Sequence, residues 1–172
     1  MPQVPQPRTW VVGDTVSAAR LNALRDAINF LLNPPMFAGY QATAQSIPNL
    51  TETAVIIDTV TQDSATGYNV STPTRYTAQY SGWYEVVGKV NFNSTASGFR
   101  AVSFHVNGNA VVPNPQANEP TSGGVNNIEP VAVGTVYLNA GDYVELTAYQ
   151  NTGAAVPLTA PYSTFTARWV HA

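Results

Sequence analysis

The sequence predicts a mainly β protein, an antiparallel jelly-roll sandwich preceded by one short N-terminal helix and an extended arm. Three observations carry this. From Met36 onward, runs of alternating apolar and polar residues follow one another, separated by Gly, Pro and Asn. Only one stretch, Ser17 to Leu32, has a helical period. About eight or nine strands with no helix between them leave an antiparallel sandwich or jelly roll as the expected architecture.

The arm occupies residues 1–16. Pro2, Pro5 and Pro7 favour a polyproline-like segment with no packing of its own, lying in solvent or on a partner. The helical stalk spans 17–33. Ser17 is the expected N-cap, Ala18, Ala19, Ala23 and Ala27 favour helix, and Asn33-Pro34-Pro35 stops it. Leu21, Leu24, Ile28 and Leu31 fall at spacings of 3, 4 and 3, the pattern of a coiled-coil seam. A helix of about 16 residues is marginal alone in water. Its stripe must therefore be buried, either on its own domain or against identical helices of neighbouring subunits.

The head spans 36–172. Between Gly82 and Phe92, Tyr84, Val86, Gly88, Val90 and Phe92 share one face; Trp83, Glu85, Val87, Lys89 and Asn91 share the other. Phe99 to Val106 alternates likewise, and Asn107-Gly108 supplies the φ > 0 turn of a two-residue hairpin into Ala110 to Val112. Val131 to Leu138, Tyr143 to Gln150 and Ser163 to Val170 are the later strands; Ala38 to Thr43, Ala54 to Asp58 and Arg75 to Gln79 are shorter ones. Pro113 to Pro130 reads as a long connection, and such loops often carry function. Asn118, Ser122, Gly123 and Asn126 are its candidate contact residues.

Charge sets the next limits. Of 172 residues, 7 are Lys or Arg and 10 are Asp or Glu, a charged fraction of 10%, where soluble domains average about 25%. With 44% hydrophobic residues the chain has material for a core. A net charge of -3 and a single lysine, Lys89, argue against nucleic-acid binding, which needs clustered cations. Without cysteine there is no disulfide, thiolate or Cys-type zinc chemistry. The N-terminal residues do not read as a secretory signal, and no apolar run is long enough to span a membrane.

Catalytic patterns are not found, and the chain is read as a non-enzymatic protein without a cofactor or bound metal. His105 and His171 are not paired in a metal motif, and there is no G-x-S-x-G elbow, P-loop or dinucleotide fingerprint. Asp58 and Asp63 flank a turn that lacks the ligand density of a calcium loop. Asn49, Asn69 and Asn93 begin glycosylation-type tripeptides that read most simply as turns. Tyr143 and Tyr149, with Glu145 and Thr147, form an amphipathic strand face. Their large rings with polar tips suit an intersubunit contact.

Two resemblances refine the picture. Arg75-Tyr76-Thr77-Ala78-Gln79-Tyr80-Ser81-Gly82-Trp83-Tyr84-Glu85-Val86-Val87-Gly88 resembles the aromatic and Gly-x-Tyr core motif of the complement-globular-head and tumour-necrosis-factor-like jelly rolls. Val106-Asn107-Gly108, Leu138-Asn139-Ala140-Gly141-Asp142-Tyr143-Val144-Glu145-Leu146 and Phe165-Thr166-Ala167-Arg168-Trp169 resemble later segments of that family in the same order. This resemblance covers residues 37–171 and implies a homotrimer. The entry segment Trp10-Val11-Val12-Gly13-Asp14-Thr15-Val16-Ser17-Ala18-Ala19-Arg20-Leu21-Asn22, continuing through Pro35, is similar to the start of small structural proteins of tailed phages infecting actinobacteria.

Together they imply a trimeric virion surface protein, assembled in the host cytoplasm. Pro5, Pro7 and Trp10 would anchor it to capsid or tail proteins, 17–33 would form a short trimeric stalk, and the head would face outward. The short stalk favours a capsid fibre or decoration protein over a tail-tip or tail-fibre receptor-binding protein. A host-surface glycan is a candidate partner, through the 113–130 loop or exposed aromatics such as Trp83 or Tyr162. The opposed class is a secreted carbohydrate-binding module.

Overall fold

The computed structural model describes residues 4, 5, 9–93, 98–111 and 128–172, and the backbone of 117–120. Helix α1 is Ala18–Leu32. Ser17 is extended and its hydroxyl accepts the Arg20 N–H at 3.4 Å, so the N-cap forms as the sequence predicts. At the other end Asn33 leaves helical geometry, and two prolines prevent a further turn.

The strands are β1 (Met36–Tyr40), β2 (Ser46–Ile47), β3 (Thr53–Ala54), β4 (Thr59–Asp63), β5 (Arg75–Thr77), β6 (Gly82–Lys89), β7 (Phe99–Val106), β8 (Asn109–Ala110), β9 (Ala117–Pro120), β10 (Val131–Leu138), β11 (Tyr143–Gln150), β12 (Val156–Pro157) and β13 (Thr164–His171). The first sheet has the order β10-β6-β13-β1-β4. The second runs β3-β11-β7-β8, with β5 also on β11 and β9 on β7, and β12 with β2 forms a small third sheet. The expected antiparallel jelly-roll sandwich is what the chain adopts.

The core lies between the two main sheets because each sends one face of its alternation inward. Phe37, Tyr84, Val86, Leu138, Phe165 and Ala167 from the first meet Tyr76, Val102, Phe104, Val144 and Leu146 from the second, all fully buried. Burying each large side chain contributes about 1.5–3 kcal/mol. Phe37 stacks on Tyr76 at 5.3 Å and takes Phe165 edge-on at 5.5 Å. Burial pushes the Tyr84 hydroxyl up to about 12, and it donates to the Tyr80 carbonyl at 2.8 Å. Gln150 ties loops to the core, its amide donating to the Ile47 and Ala154 carbonyls at 3.0 and 2.8 Å.

The structure moves several predicted boundaries. Residues 55–58 do not pair as a strand: Val55 and Ile57 point inward, but their N–H groups bond singly to Leu146 and Pro73 carbonyls, and pairing falls on β3 and β4 either side. The ladder of β6 ends at Lys89, and beyond it Val90, Asn91 and Phe92 are all buried, so the alternation of burial ends there too. The segment read as one long connection contains β9, paired with β7 from Phe99↔Pro120 to Val102↔Ala117.

Candidate oligomerisation surface

The outer face of the first sheet is built from three adjacent strands. Antiparallel register sets Val133 beside Val87, Thr135 beside Glu85 and Tyr137 beside Trp83, and on the other flank Thr166 beside Val87 and Arg168 beside Glu85. Because the partner positions of each strand face the core, these side chains face outward. Val133 is 61% exposed and Trp83 40%, and Val131, Tyr137 and Val170 are exposed with them. Trp83 packs edge-on against Tyr137 at 5.7 Å, and the His171 ring lies 6.4 Å away. At one end Lys89 pairs with Glu129 at 3.3 Å, and Glu129 also accepts from the Asn91 amide. The face thus carries two apolar rows, Val133 with Val87 and Tyr137 with Trp83, on either side of the polar row Thr135, Glu85 and Arg168, and exposed apolar side chains grouped in this way are a candidate interaction surface.

Helix α1 offers a second apolar surface. Leu21 and Leu31 are 52% and 68% exposed, Leu24 and Ile28 are exposed with them, and Ala27 alone among the helix residues is buried. The stripe is therefore not covered by its own domain. Phe30, outside the stripe, holds the helix to the head through Tyr80 at 5.0 Å and Trp169 at 4.8 Å. An apolar groove of about 290 Å³ runs along the helix, lined by Val4, Pro5, Leu24, Ala27, Ile28 and Leu31.

The arm departs from expectation. Val4 and Pro5 lie against this groove instead of standing free, since an apolar side chain gains by leaving water wherever an apolar wall is in reach. Trp10 lies under the Arg20 guanidinium at 5.7 Å; Arg20 pairs with Asp14 at 3.2 Å and donates to the Thr15 carbonyl, and Asp14 accepts the Val11 N–H at 3.1 Å. The Trp10-to-Arg20 motif thus folds the arm onto the start of the helix. Pro7 lies outside the described residues.

Tyr143 and Tyr149 are on the outer face of the other sheet and are engaged within their own chain. The Arg75 guanidinium lies 4.4 Å over Tyr143, and Tyr149 packs on Phe99 at 5.6 Å. Around them Glu145 accepts from Thr74 at 3.0 Å, Ser103 bonds Thr147 at 2.7 Å, and His105 lies 3.2 Å from Glu52. That face carries polar side chains, most of which have contacts within the chain. The sequence signal for the other face was available: Val131, Val133 and Tyr137 alternate with Ala132, Val136 and Leu138, so β10 is apolar on both sides.

The remaining candidates separate. Asn118 falls in β9, while Ser122, Gly123 and Asn126 lie outside the described residues. Tyr162 is exposed. Asp63 accepts the Gly67 and Tyr68 N–H groups at 3.1 and 2.9 Å, and Asp58 those of Ala42 and Thr43. Burial raises the Asp58 pKa, but these bonds outweigh it and hold the carboxyl below its ordinary value. Among the described residues no three His, Cys, Asp or Glu side chains gather as a metal site, and no helix is long and apolar enough to cross a membrane. The amide oxygens of Asn49 and Asn69 hold turns through the Gly153 and Ser71 N–H groups.

Solved structures identify the class of fold. The globular domain of zebrafish complement 1qA matches with a TM-score of 0.59 at 12% identity, over 80% of this chain and 97% of that one. Murine APRIL at pH 5.0 matches at 0.56 and 11%, over 79% and 98%. The PRD1 vertex protein P5 matches at 0.57 and 17%, over 80% and 97%. The chain has the jelly roll of the complement-head and tumour-necrosis-factor-like proteins. No protein-family profile and no curated protein sequence matches it.

Proposed function

We propose that the chain is a non-enzymatic, homotrimeric structural protein of a virion, displayed on a phage capsid as a short fibre or decoration. The observation that carries the trimer is the uncovered apolar face of β6, β10 and β13, beside an uncovered helix stripe on the same chain. A soluble monomer gains nothing from exposing both, whereas three copies can cover both at once. The Trp83–Tyr137 face is the head contact, and Leu21, Leu24, Ile28 and Leu31 are the stalk contact. Tyr143 and Tyr149 lie away from both.

The virion assignment draws on the N-terminal resemblance and on the likeness to a vertex protein. A helix of 15 residues gives a stalk of about 22 Å, suited to a decoration that stands close to its shell. The arm with Trp10 at its base is the part directed to other virion proteins, and the head is the part directed outward, where a host glycan is a candidate ligand. Light scattering of the full chain is expected to give three times 18.3 kDa, and antibody labelling of particles is expected on the capsid. A monomeric mass rejects the assembly, and label at the tail tip moves the protein to the receptor-binding class.

A further inference from the structure

We infer that Glu85 and Arg168 form the polar key of the trimer contact, each pairing with the opposite residue of a neighbouring subunit. The inference rests on the trimer reading above. Glu85 on β6 and Arg168 on β13 are Cα partners in the antiparallel register and both face outward. They sit between the Val87–Val133 row and the Trp83–Tyr137 row of the apolar face.

Among the described residues, every other charged side chain has a partner in its own chain. Arg20 has Asp14, Arg25 has Asp26, Lys89 has Glu129 and His105 has Glu52. Asp58, Asp63 and Asp142 hold backbone amides, Glu145 holds Thr74, and Arg75 covers the Tyr143 ring. Arg100 is also engaged. The side chains of Glu85 and Arg168 have no hydrogen bond or ion pair, in a chain that carries only 17 charged residues. The two exceptions stand side by side on the uncovered outer face of the first sheet.

The energetics say what that placement is for. On an exposed face an ion pair contributes little, so leaving the two unpaired costs a monomer little. Once Val87, Val133, Trp83 and Tyr137 are covered by a neighbour, each charge loses water and needs a counter-charge. Both signs on one face let copies of a single chain supply each other. An apolar contact alone tolerates sliding, and opposite charges fix its register and reject displaced arrangements.

Equilibrium sedimentation of the full chain tests this. Glu85→Arg and Arg168→Glu are each expected to weaken the trimer about tenfold or more, with unchanged circular dichroism. Mixing the two variants is expected to recover part of the loss, because contacts between unlike chains are again oppositely charged and a ring of three retains one like-charged contact. A pair acting within its own chain gives no recovery on mixing, and that result overturns the inference. If a reversal fails to fold, Glu85→Gln and Arg168→Gln serve instead. They are expected to weaken the trimer by a smaller factor, and a trimer they leave unmoved also overturns the inference. A trimer unaffected by the reversals removes the key and leaves the assembly standing, whereas a wild-type monomer removes the assembly itself.

Discussion

The ring of Phe30 meets the indole of Trp169 edge-on, with centroids 4.8 Å apart and planes at 78°. This contact joins the last turn of the helix to β13. The indole N–H donates to the Ser81 carbonyl at 3.1 Å, and the Trp169 backbone N–H donates to the Pro35 carbonyl at 2.9 Å. Trp169 is thus the point at which helix, linker and sheet are fixed together.

Phe30→Ala is expected to release the helix from the head while leaving the sandwich folded. An edge-on aromatic pair adds about 0.5–1.5 kcal/mol beyond its buried area, and an undocked helix of this length is marginal in water. Limited proteolysis should then cut within residues 18–35 and leave a resistant head. Resistance equal to wild type would show that the groove contacts of Val4 and Pro5 hold the helix without Phe30.

Leu24→Asp with Ile28→Asp is expected to loosen trimers while leaving the monomer fold intact, since both side chains are exposed within the chain. Light scattering over a dilution series reads the effect. An unchanged trimer mass would show that the head alone assembles the three chains.

Much of the sandwich is legible because alternation records which side is buried. Strands β7, β10 and β11 fall on the predicted residues, and so does the Asn107-Gly108 turn, with φ of 52° and 76° at its two central positions. Residues 54–58 misled because any extended segment over a core alternates, whether or not a neighbour takes its hydrogen bonds. Short β2, β9 and β12 are set by partners distant in sequence, so no local pattern announces them. The outer face of the first sheet was legible strand by strand, since the alternation puts Trp83, Glu85 and Val87 on one side, as they are found. Its breadth was not, because only the register of β6 with β10 and β13 assembles it. The contact of Trp10 with Arg20 was not legible, because the two lie ten residues apart with no periodic pattern linking them.

Gly88→Ala is expected to destabilise the sandwich by about 1–3 kcal/mol, the usual cost of overpacking a core. A Cβ at this position runs into the side chain of Leu146 on the facing sheet. The midpoint of urea unfolding reads the loss. Leu146→Ala in the same chain opens room, so the double variant should lose less than the sum of the two single variants. Strict additivity would show that the Cβ meets no resistance from Leu146.

Acid should weaken the link between two turns. The Asn107 side-chain amide donates to the Asp142 carboxylate at 2.9 Å, and the Asn139 backbone N–H and side-chain amide add bonds at 2.8 and 3.0 Å. The Asn107 bond is the largest influence, and with those of Asn139 it outweighs burial and holds the carboxyl below its ordinary value. An unfolded aspartate titrates near about 3.9. The carboxylate's contribution is therefore complete above that pH and is lost as pH falls through the lower folded value. Asp142→Asn is expected to cost about 1–3 kcal/mol at pH 7, measured by urea unfolding. The gap from wild type should narrow as the pH is taken below about 4. A gap that stays constant between pH 7 and pH 3 would place the contribution in the shape of the side chain and not in its charge.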